Sequence, residues 1–118
     1  MICAVSLNPA LDKYLRLPHL RRGQHLEAIE AISSAGGKAI NVAGVLRMLG
    51  EEVALLGFFG GFTGQFILAE VAREGIQADA VMVGALTRTA FVLVEDDGSE
   101  TEVVEPGAAV SSDEVALL

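Results

Sequence analysis

The residues best suited to a chemical task are Gly36-Gly37-Lys38-Ala39-Ile40-Asn41, which stand where the apolar pattern turns helical. Small residues let a ligand come close to the backbone, and the amides at a helix N-terminus favour anionic or strongly polar groups. Lys38 adds a mobile cation, and Asn41 can both donate and accept hydrogen bonds. Together they suit a polyol that carries a phosphate. Two other glycine motifs do not fit. A dinucleotide fingerprint needs G-x-G-x-x-G directly after the first strand, and here Leu7 is followed by Asn8-Pro9. A P-loop needs Ser or Thr after Gly-Lys, and Gly37-Lys38 is followed by Ala39. On these residues alone, a tight loop whose glycines serve only packing stays open beside the ligand reading.

The elements that must position this segment follow from the apolar pattern. Ile2 to Leu7 is short and nearly all apolar, which predicts a strand buried on both faces as in a parallel sheet. Tyr14 to Leu17 alternates and ends at Pro18, which suits a strand. His25 to Ile32 fits two templates: Leu26, Ile29 and Ile32 have helical spacing, whereas Leu26, Ala28, Glu30 and Ile32 would share one face of a strand. Ser33 to Gly37 reads as a loop. From about Lys38 to Leu49 the pattern is helical, with Ile40, Ala43, Leu46 and Leu49 in one stripe. Val42 and Val45 widen the stripe, which predicts burial on more than one side, and Gly50 suits a left-handed cap.

Val53 to Phe59 is a second apolar strand, Gly60 to Gly64 a glycine-rich turn, and about Gln65 to Glu74 a second helix stopped by Gly75. Thr89 to Glu95 and Thr101 to Glu105 flank Asp96-Asp97-Gly98-Ser99, a hairpin signal. Ser111 with Glu114 three residues on reads as a capping box opening a helix, an element we read as cut short after Leu118.

Composition narrows the classes. The chain has 118 residues, 52% of them apolar and 20% charged, which is enough for one domain with a modest core. Eight basic against sixteen acidic residues give a net charge of −8. That argues against a nucleic-acid binder, because phosphate contacts need clustered Lys and Arg. Cys3 is the single cysteine, expected to be a buried, inert thiol, so no intrachain disulfide forms. No apolar run is long enough to span a bilayer. The start of the chain lacks the features of a signal peptide, so no membrane role and a cytoplasmic location are expected.

The spaced positions Gly36, Gly37, Ala39, Asn41, Ala43, Gly50 and Gly60 resemble the first signature of the PfkB family within the ribokinase-like kinases. Asn8-Pro9-Ala10-Leu11-Asp12 is similar to the opening of the phosphosugar branch, which includes 1-phosphofructokinase, 6-phosphofructokinase and tagatose-6-phosphate kinase. Gly60-Gly61-Phe62-Thr63-Gly64 resembles the second glycine turn, without the acid common after the paired glycines. Thr87-Arg88-Thr89 and Glu105-Pro106-Gly107 also match. The likeness covers essentially the whole chain.

The resemblance implies an α/β, ribokinase-like fold: the N-terminal part of a mostly parallel sheet with helices, plus a small β-sheet lid over the sugar. Core elements would lie at about 1–8, 36–84 and 107–118, and lid strands at about 12–33 and 87–105, which favours strand for His25 to Ile32. It implies that Asp12 hydrogen-bonds sugar hydroxyls. Gly36, Gly37, Lys38 and Asn41 would line the sugar site, and Arg88 would hold the phosphate already on the substrate. Without the resemblance, Asp12 reads as a turn or cap residue and Arg88 as a solvated cation.

The implied activity is transfer of the ATP γ-phosphoryl to a hydroxyl of a ketohexose phosphate such as fructose 1-phosphate. In the family the base lies in a Gly-Ala-Gly-Asp segment, absent from this sequence. We therefore expect this chain to be the sugar-phosphate-binding and lid portion of such a kinase. ATP and Mg2+ are implied for the full-length parent and are not expected to bind this chain well. The alternative is a non-catalytic binding or dimerisation module, and in either case a homodimer through the β lid is expected.

Overall fold

A computed structural model describes residues Met1–Leu118. It contains two sheets and three helices. In the first sheet, β1 (Ile2–Ser6), β4 (Val53–Phe59) and β5 (Gln77–Met82) are all parallel, in the order β1-β4-β5. In the second, β2 (Ala10–Leu17), β3 (Glu30–Gly36), β6 (Arg88–Glu95) and β7 (Glu100–Val104) run in the order β3-β2-β6-β7. There β2 pairs antiparallel with β3 and parallel with β6, while β6 and β7 form an antiparallel hairpin. Helices α1 (Lys38–Met48) and α2 (Gly61–Arg73) form crossovers of the first sheet, and a short α3 (Ser112–Ala116) follows the second.

The core lies on one face of the parallel sheet. Val53, Leu55 and Phe59 of β4 point to it and meet Ile40 and Ala43 of α1, Ile67 and Val71 of α2, and Ile76. Burying such a side chain stabilises by about 1.5–3 kcal/mol. Leu11 of β2 and Ala35 of β3 pack against the same cluster, so the second sheet is anchored at its base to the first. Left-handed glycines end both helices as the sequence requires: Gly50 at φ +88° and Gly75 at φ +73°. The Asp96–Ser99 turn closes the hairpin with Gly98 at φ +88°.

Several expectations are corrected. The segment Ser33 to Gly37 is not a loop: Ser33 to Gly36 continue β3, because each finds a partner in β2 and the backbone polar groups are satisfied there. Residues 25–29 are irregular, so strand in the ambiguous stretch begins only at Glu30. The glycine turn after β4 shrinks to Gly60, and α2 begins at Gly61. The sequence reading missed β5, whose alternating small and polar residues, Gln77-Ala78-Asp79-Ala80, carry a weak apolar signal.

Helix α1 is buried on one side only: Ile40 and Ala43 face the core, whereas Val42 and Val45 are more than half exposed. The first strand is not covered on both faces, and Cys3 is exposed rather than buried, because no helix lies on its side of the sheet.

Candidate functional site

Strand register sets the geometry. Ala10 of β2 lies between Gly36 of β3 and Arg88 of β6, and two residues on, Asp12 lies between Ser34 and Ala90. Residues two apart in a strand share a face. Arg88, Gly36, Ser34 and Asp12 therefore lie on one face of the second sheet, in adjacent rows. The absent side chain of Gly36 is what seats Asp12, since a β-carbon there would overlap the Asp12 carboxyl group.

Gly37 then links β3 to α1 at φ +110°, a conformation open to glycine. It packs beside the β1–β2 connection, where a β-carbon would make ordinary contact with the Pro9 Cα at 3.4 Å, so it is the backbone angle that requires glycine. Helix α1 starts at Lys38, with no side chain capping its N-terminal amides.

Lys38 and Arg88 line one cleft of about 290 Å3 together with Ser6, Asn8 and Ala39. Neither is within salt-bridge distance of a carboxylate. Arg88 donates from Nη2 to the Asn8 carbonyl oxygen over a long 3.4 Å, and its Nε is buried without a partner. Two unneutralised cations and an unused donor make a cleft fitted to an anion such as a phosphate.

Asp12 faces a neighbouring hollow of about 420 Å3, lined by Tyr14, Val92, Glu100 and Glu102. Burial pushes its carboxyl group above the ordinary 3.8, nearby Glu102 adds to the rise, and Arg88 opposes it. Asn41 sits apart from both. It lies a turn into α1 and lines a larger hollow, about 570 Å3, with Gly44, Arg47 and Glu74. The fold thus brings Lys38 and Arg88 together, sets Asp12 and Gly36 beside them, and leaves Asn41 outside their cleft.

Sequence reasoning missed the groups that hold this arrangement. The buried Thr87 hydroxyl accepts from the Gly60 N–H at 2.9 Å, and the Thr63 hydroxyl donates to the Thr87 carbonyl at 2.6 Å. These bonds tie the residue before Arg88 to the start of α2. Asn8 packs on Gly107, where a β-carbon would lie 3.0 Å from its Oδ1. In the sequence, Asn8-Pro9 counts against a dinucleotide fingerprint and belongs to the Asn8–Asp12 segment that resembles the phosphosugar branch. Its packing against a residue about a hundred positions away leaves no trace in local pattern.

The model of the pfkB carbohydrate kinases matches residues 10–117. The chain belongs to the pfkB family of carbohydrate kinases. It is 35% identical over all 118 residues to a 1-phosphofructokinase of Borreliella burgdorferi, and spans 38% of that protein's length. Phosphofructokinase-2 of Escherichia coli, solved with fructose-6-phosphate, is 27% identical and superimposes with a TM-score of 0.93, over 98% of this chain and 39% of its own. A ribokinase of Thermotoga maritima at 24% identity and a TM-score of 0.77 shares the fold, over 91% of this chain and 37% of its own. The ribokinase-like α/β fold and the phosphofructokinase branch, read from the glycine spacing and the Asn8–Asp12 segment, are both borne out. No helix is long and apolar enough to cross a membrane.

Proposed function

We propose that this chain is the sugar-phosphate-binding and lid portion of an ATP-dependent kinase that phosphorylates a ketohexose phosphate such as fructose 1-phosphate. The observation that carries the reading is the pair of unneutralised cations, Lys38 and Arg88, in one small cleft beside the Asp12 carboxylate. Arg88 and Lys38 take the phosphate already on the substrate, the guanidinium through its flat fork. Asp12 accepts hydrogen bonds from sugar hydroxyls, and Gly36 and Gly37 let the sugar approach the backbone. Asn41 reaches the sugar only if its side chain turns toward the start of α1. The second sheet forms the lid and excludes water from the reacting hydroxyl.

ATP and Mg2+ would be held by the part of the kinase fold that the matched segment does not span, since the chain covers 38% and 39% of the relatives' lengths. A second reading, a dimerisation module, is favoured by one observation. The lid face that carries Asp12 also exposes Tyr14, Ile32 and Val104 by 41%, 52% and 41%.

Calorimetric titration with fructose 1-phosphate, fructose 6-phosphate and tagatose 6-phosphate, with fructose and ATP as controls, separates the two. Binding of one phosphosugar but not fructose supports the first reading. Self-association without sugar binding supports the second.

A further inference from the structure

Arg88 has no carboxylate within salt-bridge distance, so its place is set by the backbone on either side of it. On one side Thr87 is tied down: its hydroxyl accepts from the Gly60 N–H, and its carbonyl accepts from the Thr63 hydroxyl. On the other side stands Thr89, and its partner is Glu105.

Register puts Thr89 opposite Glu105, one step beyond the Ala90–Val104 pair. The Glu105 N–H donates to the Thr89 carbonyl at 3.0 Å, as in a hydrogen-bonded pair of an antiparallel ladder. The return bond of such a pair would run from the Thr89 N–H to the Glu105 carbonyl. Instead the Thr89 N–H donates to Glu105 Oε1 at 2.7 Å. Strand β7 ends at Val104, and Pro106 has no N–H with which to prolong the ladder. The Glu105 carboxylate stands in for the main chain at that point, with the shorter and stronger bond of an ionised acceptor.

The same stretch reaches Arg88 from a second direction. Gly107 leaves room for the Asn8 side chain, whose Oδ1 a β-carbon would meet at 3.0 Å. The Asn8 carbonyl in turn accepts from Arg88 Nη2. A carboxylate close to a cleft for anions repels the ligand, so a reason is needed for its presence. The bond to the Thr89 amide supplies one.

We infer that Glu105 is a positioning residue for Arg88. By holding the Thr89 amide it fixes the strand end from which the guanidinium reaches the substrate phosphate. The inference rests on the sugar-phosphate reading of the cleft.

Calorimetric titration with fructose 1-phosphate and fructose 6-phosphate tests it in the parent chain, Glu105→Ala, Glu105→Gln, Arg88→Ala and the double variant Glu105→Ala/Arg88→Ala. Glu105→Ala should weaken binding about 5- to 30-fold, within the range of couplings across one hydrogen-bonded network. Glu105→Gln keeps an oxygen for the Thr89 N–H and should bind within about twofold of the parent. In the Arg88→Ala background, Glu105→Ala should add less than about a twofold loss, because it acts through Arg88. Charge alone predicts the opposite sign, with both Glu105 variants binding the anion more tightly. Tighter or unchanged binding by Glu105→Ala overturns the inference, and so does a full loss in the Arg88→Ala background.

Nuclear magnetic resonance of the ligand-free chain reads the same link without sugar. The Thr89 amide should exchange at least about tenfold faster in Glu105→Ala than in the parent, and the heteronuclear NOE of the Arg88 Nε–H should fall. Phe91 and Leu93, opposite Val103 and Thr101, should keep their rates. Equal exchange at Thr89 overturns the inference. Faster exchange at all three amides overturns it too, since Glu105 would then hold the hairpin as a whole. A parent that binds neither sugar, or an Arg88→Ala chain that binds as well as the parent, sinks the sugar-site reading, and the ligand-free measurements then decide on Glu105 alone.

Discussion

The contact between Gly36 and Asp12 links the stability of this chain to its candidate site, and Gly36→Ala tests it. A β-carbon at position 36 would overlap the Asp12 carboxyl group on the neighbouring strand, so Asp12 must leave its position. The carboxyl group is the far end of a flexible, half-buried side chain, so turning it aside costs about 0.5–1.5 kcal/mol. Replacing glycine by alanine also restricts the unfolded chain and returns about 0.4–1 kcal/mol. The net expectation is a change of less than about 1 kcal/mol, or roughly 0.5 M at most in urea midpoint for a chain of this size.

In an Asp12→Ala background the obstacle is gone and only the unfolded-state gain remains. There Gly36→Ala should be neutral or stabilising by up to about 1 kcal/mol. Urea titrations of the four proteins, followed by circular dichroism at pH 7, therefore give a coupling of about 0.5–1.5 kcal/mol. Additivity within about 0.3 kcal/mol would refute the reasoning, because it would mean that Asp12 does not rest on Gly36.

Three further outcomes are expected of Arg88, Asp12 and Glu114. If Arg88 holds the substrate phosphate, Arg88→Ala weakens phosphosugar binding about 10- to 150-fold, the worth of a charged hydrogen bond, and Arg88→Lys restores only part of it; calorimetry showing no loss would remove Arg88 from the site. Asp12 has a raised pKa in the folded chain, chiefly through burial, so its ionised form opposes folding above that value. Asp12→Asn should then raise the thermal midpoint at pH 7, with the difference vanishing as the pH falls below the ordinary value of 3.8; an equal difference at pH 7 and in acid contradicts this.

Glu114 is held below its ordinary 4.5 by the backbone N–H groups of Ser111 and Gly84. Its contribution is present above that value and is lost as the pH falls through the lowered one. The amide resonances of Gly84 and Ser111 should accordingly titrate together, with a midpoint below 4.5, and a stationary Gly84 signal would exclude the bridge between the β5–β6 connection and α3.

Much of the α1–β4–α2 segment was legible because its signals are local. The α1 stripe, the caps at Gly50 and Gly75, the apolar run of β4 and the Ser111–Glu114 capping box each depend on residues within a few positions of one another. The box forms as the spacing requires, with the Glu114 N–H donating to Ser111 Oγ and the Ser111 N–H to the Glu114 carboxylate. The Asp-Gly hairpin is of the same kind. The segment from Gly36 to Asn41 stood out by type and spacing, while Asp12 and Arg88 entered as site residues only through the resemblance to the family.

What the local pattern lacked is partnership across the chain. Ser33 to Gly36 carry no strand signal of their own, and become strand because β2 offers backbone partners. Cys3 and Val5 look like core residues, because an apolar run records hydrophobicity and not which side a helix will cover. Residue order by itself determined the family, the α/β alternation, and the candidate ligands Asp12, Lys38 and Arg88. Only the tertiary structure decided that Lys38 and Arg88 share a cleft, that Gly36 seats Asp12, that Asn41 stands apart, and that one face of the parallel sheet is open. The physical reason is that those facts depend on strand register and helix placement, which are set by pairings and packing between residues tens of positions apart.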